Sequence, residues 1–91
     1  MYSPVYTKQF SKDIKRIEKR RKNLDKLKII IRSLLAGEHP DPIHLDHKLT
    51  GNYQGRRECH VEADWLLIYK VSGNRIIFER TDTHSDLFQK L

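Results

Sequence analysis

Residues 65–71 read "WLLIYKV". Apart from Lys70, every position is apolar or aromatic. A strand with one wet face alternates apolar and polar residues. A short, nearly continuous apolar run marks a strand buried on both faces. This segment is therefore the predicted centre of a sheet. On its downstream side Ser72, Gly73 and Asn74 form a hairpin turn, and "RIIFERT" (75–81) is the next strand. On its upstream side a strand covers about Gln54 to Val61, followed by a turn.

Further out the period changes. Residues 2–6, "YSPVY", are β-prone, and Pro4 has no N–H to give a ladder, which predicts an edge strand. From Thr7, a candidate N-cap, Phe10, Ile14 and Ile17 recur at helical spacing. Asn23 is a break and a second N-cap. The helix that follows runs to about Ala36 and stops at Gly37. Its stripe is Leu24, Leu27, Ile31, Leu34 and Leu35. Ile29 lies off it, as a stray exposed side chain or as a partner contact. Residues 37–51 are a loop bearing prolines and histidines, and "HSDLFQKL" (84–91) forms one or two helical turns. The expected order is β-α-α-β-β-β with a short C-terminal helix. That is an α+β fold, a helical hairpin on one face of a small, mostly antiparallel sheet. At 91 residues the chain is expected to be one domain, 1–91.

The net charge of +6 is unevenly placed. Residues 1–32 carry +8 and residues 33–91 carry −2. The basic helices are thus the electrostatic handle, suited to a polyanion or an acidic protein, or else a solvated helical face. Cys59 is the single cysteine, which excludes an internal disulfide and fits a reducing compartment. No apolar run reaches the roughly 18 residues of a membrane span, and "MYSPVYTKQF" lacks the apolar core of a signal peptide. The expected location is the cytoplasm.

Strand parity sorts the ionisable residues around 58–65, "ECHVEADW". Cys59 and Val61 are natural core residues, so Arg56, Glu58 and His60 face the open side of the sheet. Cys59 and His60 then point apart, which argues against a thiol–imidazole nucleophile. On the last strand Arg80 shares parity with the inward Phe78, and a bulge near the strand end is needed to release it. The polar set is His47, Arg56, Glu58, His60, Asp64, Trp65, Arg80 and His84. Zinc-ligand spacings such as HExxH are missing from it. The set suits metal-free cleavage of RNA. Histidines deprotonate a 2′-hydroxyl and protonate a leaving 5′-oxygen. Arginine stabilises the extra phosphoryl charge, and an aromatic ring stacks on an unpaired base. Ordinary surface histidines are the plain alternative.

"DHKLTGNYQGRRECHVEADWLLIYKV" (46–71) followed by "FERTDTHSDLF" (78–88) resembles the YafQ branch of the RelE superfamily, toxins of type II toxin–antitoxin systems. The likeness extends through "YTKQFSKDIKRIEKRRKNLDKLK" (6–28). It implies a RelE-like fold and an mRNA interferase that cuts translated mRNA in the ribosomal A site, without metal or cofactor. By motif position, His47, His60, Asp64 and His84 match residues tied to cleavage, and Trp65, Arg80 and Phe88 are substrate-binding candidates. Arg56 and Glu58 join them from strand parity. The implied partners are the ribosome, mRNA and an antitoxin from an adjacent gene, with no membrane. The basic helices, Lys12, Lys15, Arg16, Lys19, Arg20 and Lys22, would face ribosomal RNA or the antitoxin. Where many relatives carry proline in HVExDW, this chain has Ala63. ParE-type relatives share the fold and poison gyrase instead, and a plain nucleic-acid-binding module is a third reading. Three convergent histidines favour the nuclease.

Overall fold

The chain runs β1 (Ser3–Tyr6), α1 (Lys8–Lys19), α2 (Leu24–Leu35), a 3₁₀ turn at Pro42–His44, β2 (His47–Lys48), β3 (Arg57–Glu62), β4 (Trp65–Ser72) and β5 (Arg75–Thr83). These elements come from a computed structural model that describes residues 1–49, 55–83 and 86–87. The sheet order is β1-β5-β4-β3-β2, with β1 parallel to β5 and every other pairing antiparallel. The apolar run at 65–71 is the central strand, as its composition predicts, and Trp65 through Tyr69 are all buried. Trp65, Leu67 and Tyr69 pack beneath the helices with Phe10, Ile17, Leu27 and Ile30. Leu66 and Ile68 point the other way.

The caps fall where the side-chain chemistry puts them. Thr7 Oγ1 accepts the Phe10 N–H at 3.0 Å, and the same hydroxyl lies 3.3 and 3.2 Å from the Phe78 and Glu79 carbonyls. One residue therefore starts α1 and pins it to β5. Asn23 Oδ1 accepts the Asp25 N–H at 3.0 Å. Gly37, at φ +80°, turns the chain out of α2 in a conformation that favours glycine.

Three features differ from the sequence expectation. Ile30, not assigned to the stripe, is buried, while Ile31 is only partly so. Positions 27, 30 and 34 satisfy helical spacing as well as 27, 31 and 34 do. Ile29 is exposed, as predicted. His47 and Lys48 form a strand inside the expected loop, too short to carry a period. Finally, the far face is not bare. Leu87 is buried against Leu66 and Ile68, with Leu49 beside them. Residues 84–85 and 88–91 lie outside the described residues.

β1 covers only Arg75–Phe78 of β5. Beyond that point α1 takes over the edge with carboxylates. Asp13, fully buried, accepts the Thr81 N–H at 3.0 Å and hydrogen bonds from Arg80 Nε and Nη2 at 2.8 and 3.3 Å. Asp82, also fully buried, pairs with Arg16 Nη1 at 2.5 Å and Arg20 Nη1 at 3.2 Å. Replacing Asp13 with alanine strands a buried N–H and removes a partner of Arg80. Asp13→Ala should cost about 3 kcal/mol and lower the melting temperature by roughly 12–24 °C. Lys12→Ala, one residue away and exposed, should stay within about 0.5 kcal/mol. Equal melting curves for the two variants would remove Asp13 from this role.

Candidate active site

Glu58 has only 6% of its surface exposed, although it sits on the face away from the helices. Its Oε2 lies 3.4 Å from His47 Nε2 and 3.2 Å from His60 Nε2. One carboxylate oxygen thus serves two imidazoles, whose ring centroids are 6.4 Å apart. The register explains the convergence. His47 pairs with Glu58 across β2 and β3, and His60 is two residues along the same face of β3. Backbone carbonyls hold the rings from behind. His47 Nδ1 donates to the Leu45 carbonyl at 2.6 Å, and His60 Nδ1 faces the Ala63 carbonyl at 3.4 Å. A carbonyl only accepts, so His47 carries a hydrogen on Nδ1 and turns Nε2 toward Glu58.

The same row continues across the sheet. Glu58 pairs with Ile68, and Ile68 with Arg80. Simple alternation would have put Arg80 under the helices. Instead Tyr69 pairs with Phe78 and Ile68 with Arg80, which leaves Glu79 as an extra residue. That bulge carries Arg80 into the row of Glu58, the release its sequence position required. The guanidinium is held by Asp13 and is 26% exposed. Arg56 stands just before β3, with Nε 2.5 Å from Glu79 Oε1. Asp64 is exposed in the turn between β3 and β4.

Other expected residues fall elsewhere. Trp65 is fully buried under the helices and donates Nε1–H to Thr81 Oγ1 at 2.8 Å. With no exposed ring face, it is a core residue and not a stacking platform for a base. Its parity with Leu67 and Tyr69 sends it inward. Among the basic residues, Arg16 and Arg20 are engaged by Asp82, and Arg20 also by Asp86 at 2.8 Å. Lys22 pairs with Glu62 at 3.2 Å and lies over the Trp65 ring at 5.8 Å. Lys12, Lys15 and Lys19 are exposed. His84 and Phe88 lie outside the described residues. Their neighbour Leu87 rests on Leu66 and Ile68, and Ile68 pairs with both Glu58 and Arg80.

Residues 2–89 match the family described as "Bacterial toxin of type II toxin-antitoxin system, YafQ". The chain belongs to this family. It is 45% identical over 84 residues to the mRNA interferase toxin YafQ of Escherichia coli K12, covering 91% of each chain. The YafQ fold in the crystal structure of the E. coli DinJ–YafQ complex superposes with a TM-score of 0.89 at 42% identity, over 97% of this chain and 99% of that one. A metal-bound toxin from Helicobacter pylori matches with a TM-score of 0.90 at 32% identity, over 97% of this chain and 100% of its own. Among the described residues, no group of three or more His, Cys, Asp or Glu is arranged to hold a metal ion here.

Two carboxylates behind the family motifs escaped the sequence reading. Asp46, beside His47, accepts Arg57 Nε at 3.0 Å and the Tyr69 hydroxyl at 2.7 Å. These bonds anchor the start of β2 and so place His47. Asp13 falls on the stripe of α1, between Phe10 and Ile17. An acid on an apolar stripe was the available clue. Cys59 is fully buried among the core residues, and burial, with Asp46 and Glu58 adding to it, pushes its thiol from the usual 9.0 up to about 12. A thiol held neutral and inaccessible is no nucleophile. Because the folded value lies above the unfolded one, its contribution to stability is complete below pH 9 and lost as pH rises from 9 toward 12. The unfolding free energy should fall across that window by up to about 1.4 kcal/mol per pH unit more steeply than in Cys59→Ala. Urea titrations at pH 7, 9 and 10.5 measure the slope, and parallel curves would contradict it.

Proposed function

We propose that the chain is an mRNA endoribonuclease that uses the RNA 2′-hydroxyl and acts on translating ribosomes until an antitoxin neutralises it. The observation that carries this reading is the buried Glu58 carboxylate between His47 and His60, in a chain 45% identical to a named mRNA interferase. His60 or His84 takes the 2′-hydroxyl proton, and the 2′-oxygen attacks the adjacent phosphorus. The other of the pair, or His47, protonates the departing 5′-oxygen. The products are a 2′,3′-cyclic phosphate and a 5′-hydroxyl. Glu58 lies between the two imidazoles and pairs with whichever ring carries the proton on Nε2, a positioning role. Arg80, steadied by Asp13, stabilises charge on the phosphorane, and Asp64 supports the same chemistry from its turn. No metal takes part in this scheme.

The basic first third fits two polyanionic surfaces, ribosomal RNA and an acidic antitoxin. The DinJ–YafQ complex supports the second of these. Lys12, Lys15 and Lys19 are among the exposed cations offered to them. Among the described residues no helix is long and apolar enough to cross a membrane.

His60→Ala and His47→Ala should each slow cleavage on programmed ribosomes by about 10²–10⁴-fold, with melting curves close to the parent. Both variants cutting at the parental rate would refute the histidine assignment. A 2′-deoxy nucleotide at the cut should block cleavage there. After chelator treatment and replenishment with magnesium alone, activity should persist. Activity that returns only with zinc or copper would make His47, Glu58 and His60 metal ligands instead.

A further inference from the structure

The loop that delivers His47 also walls a cleft of about 350 Å³ against the end of β3. Ile43, Leu45, Val61 and Ala63 give it apolar walls, and His60 forms one side. Ile43 is 75% exposed and Leu45 60%, so the hydrophobic core does not use them. Leu45 is also held at φ +50°, a left-handed conformation costing a non-glycine residue about 1–2 kcal/mol. Strain and exposed apolar surface thus coincide beside a candidate catalytic ring. We propose that this cleft holds an unstacked nucleobase of the RNA next to the scissile phosphate, a proposal that rests on the endoribonuclease reading.

Continuity with the site is the first support. His60 belongs to both the cleft and the Glu58 pair. His44 Nδ1 donates to the His60 carbonyl at 2.6 Å, which ties the outer wall to the catalytic strand. A base in the cleft therefore fixes the backbone of its own nucleotide against His60. Charge is the second support. Among the described residues Glu62 is the one acid lining the cleft, and Lys26 and Lys22 pair with it at 2.9 and 3.2 Å. The cleft thus presents apolar surface with adjacent cations, the combination that single-stranded RNA requires. Burial of Trp65 is the third, since it removes the aromatic residue expected to meet a base.

Methyl NMR on the full chain tests the proposal with a short RNA that carries 2′-O-methyl groups throughout and so is not cut. Ring-current shifts are expected at the Ile43 and Leu45 methyls. They should vanish when the nucleotide at one position is made abasic, with affinity falling about 5–150-fold, the equivalent of roughly 1–3 kcal/mol per base. Ala63→Phe fills the cleft from an exposed turn, and Ile43→Ser removes a wall should the first variant fold poorly. Either should abolish the shifts while core methyls keep their positions. No Ile43 or Leu45 shift at millimolar RNA, equal shifts with the abasic RNA, or shifts produced only by an antitoxin would overturn the proposal. Shifts without mRNA cutting on ribosomes would retain the cleft and defeat the endoribonuclease reading. Cutting without shifts would do the reverse.

Discussion

Asp13 donates nothing and accepts from Thr81 N–H, Arg80 Nε and Arg80 Nη2 while fully buried. β5 needs such a partner because β1 ends opposite Phe78. Past that point a buried strand edge would carry an unsatisfied N–H. α1 supplies the acceptor where a further strand would have supplied a ladder. The bulge at Glu79 belongs to the same arrangement, since it moves Arg80 out of the register of Phe78 and into that of Ile68 and Glu58. Closure of the sheet edge and placement of the site arginine are therefore one event, with one carboxylate at its centre.

Three acids are buried on the described part of β5, β3 and α1, and their partners differ in kind. Asp13 and Asp82 face guanidinium groups. Arginine stays charged at every pH the protein meets, so these pairs are permanent features of the fold. Glu58 faces two imidazoles. A neutral imidazole, unlike a guanidinium, can accept as well as donate, so this third carboxylate sits in a contact of a different kind. Burial of a carboxylate makes its partner's charge matter more, because little solvent screens it. Two of the buried carboxylates thus brace the helix–sheet seam, and the third gathers two imidazoles on the far face.

The central strand was legible because burial on both faces removes polar residues from both parities, and "WLLIYKV" records that directly. Helix caps were legible because Thr7 and Asn23 have the oxygen that an N-terminus needs. Parity placed Glu58 and His60 on the outer face, and the fold agrees. Trp65 was counted in the outward polar set as a ring to meet a base, but it shares parity with Leu67 and Tyr69, and the core holds it. β2 escaped because two residues have no period. The burial of Glu58 escaped because alternation tells which way a side chain points, not what covers it. Arg80 marked the boundary of the method. Its release needed a bulge, and a bulge depends on where β1 stops and what α1 offers in its place.

The far face combines polar and apolar contacts in a way that links the C-terminal segment to the basic helix. Leu87 is buried on Leu66 and Ile68, contributing about 1.5–3 kcal/mol if fully withdrawn from water. Asp86, one residue before it, is bound by Arg20, which also holds Asp82. Thr83 Oγ1 accepts the Asp86 N–H at 3.2 Å, the bond of a helix N-cap. The +8 surplus of the first third is consequently divided. Arg16 and Arg20, although exposed, are paired with Asp82, and Arg20 also with Asp86. Lys12, Lys15 and Lys19 stay at the surface. A polyanion reaching α1 meets lysines that cost the fold nothing to engage. Competition for Arg20 would loosen Asp86 and, through it, the seat of Leu87 on Leu66 and Ile68.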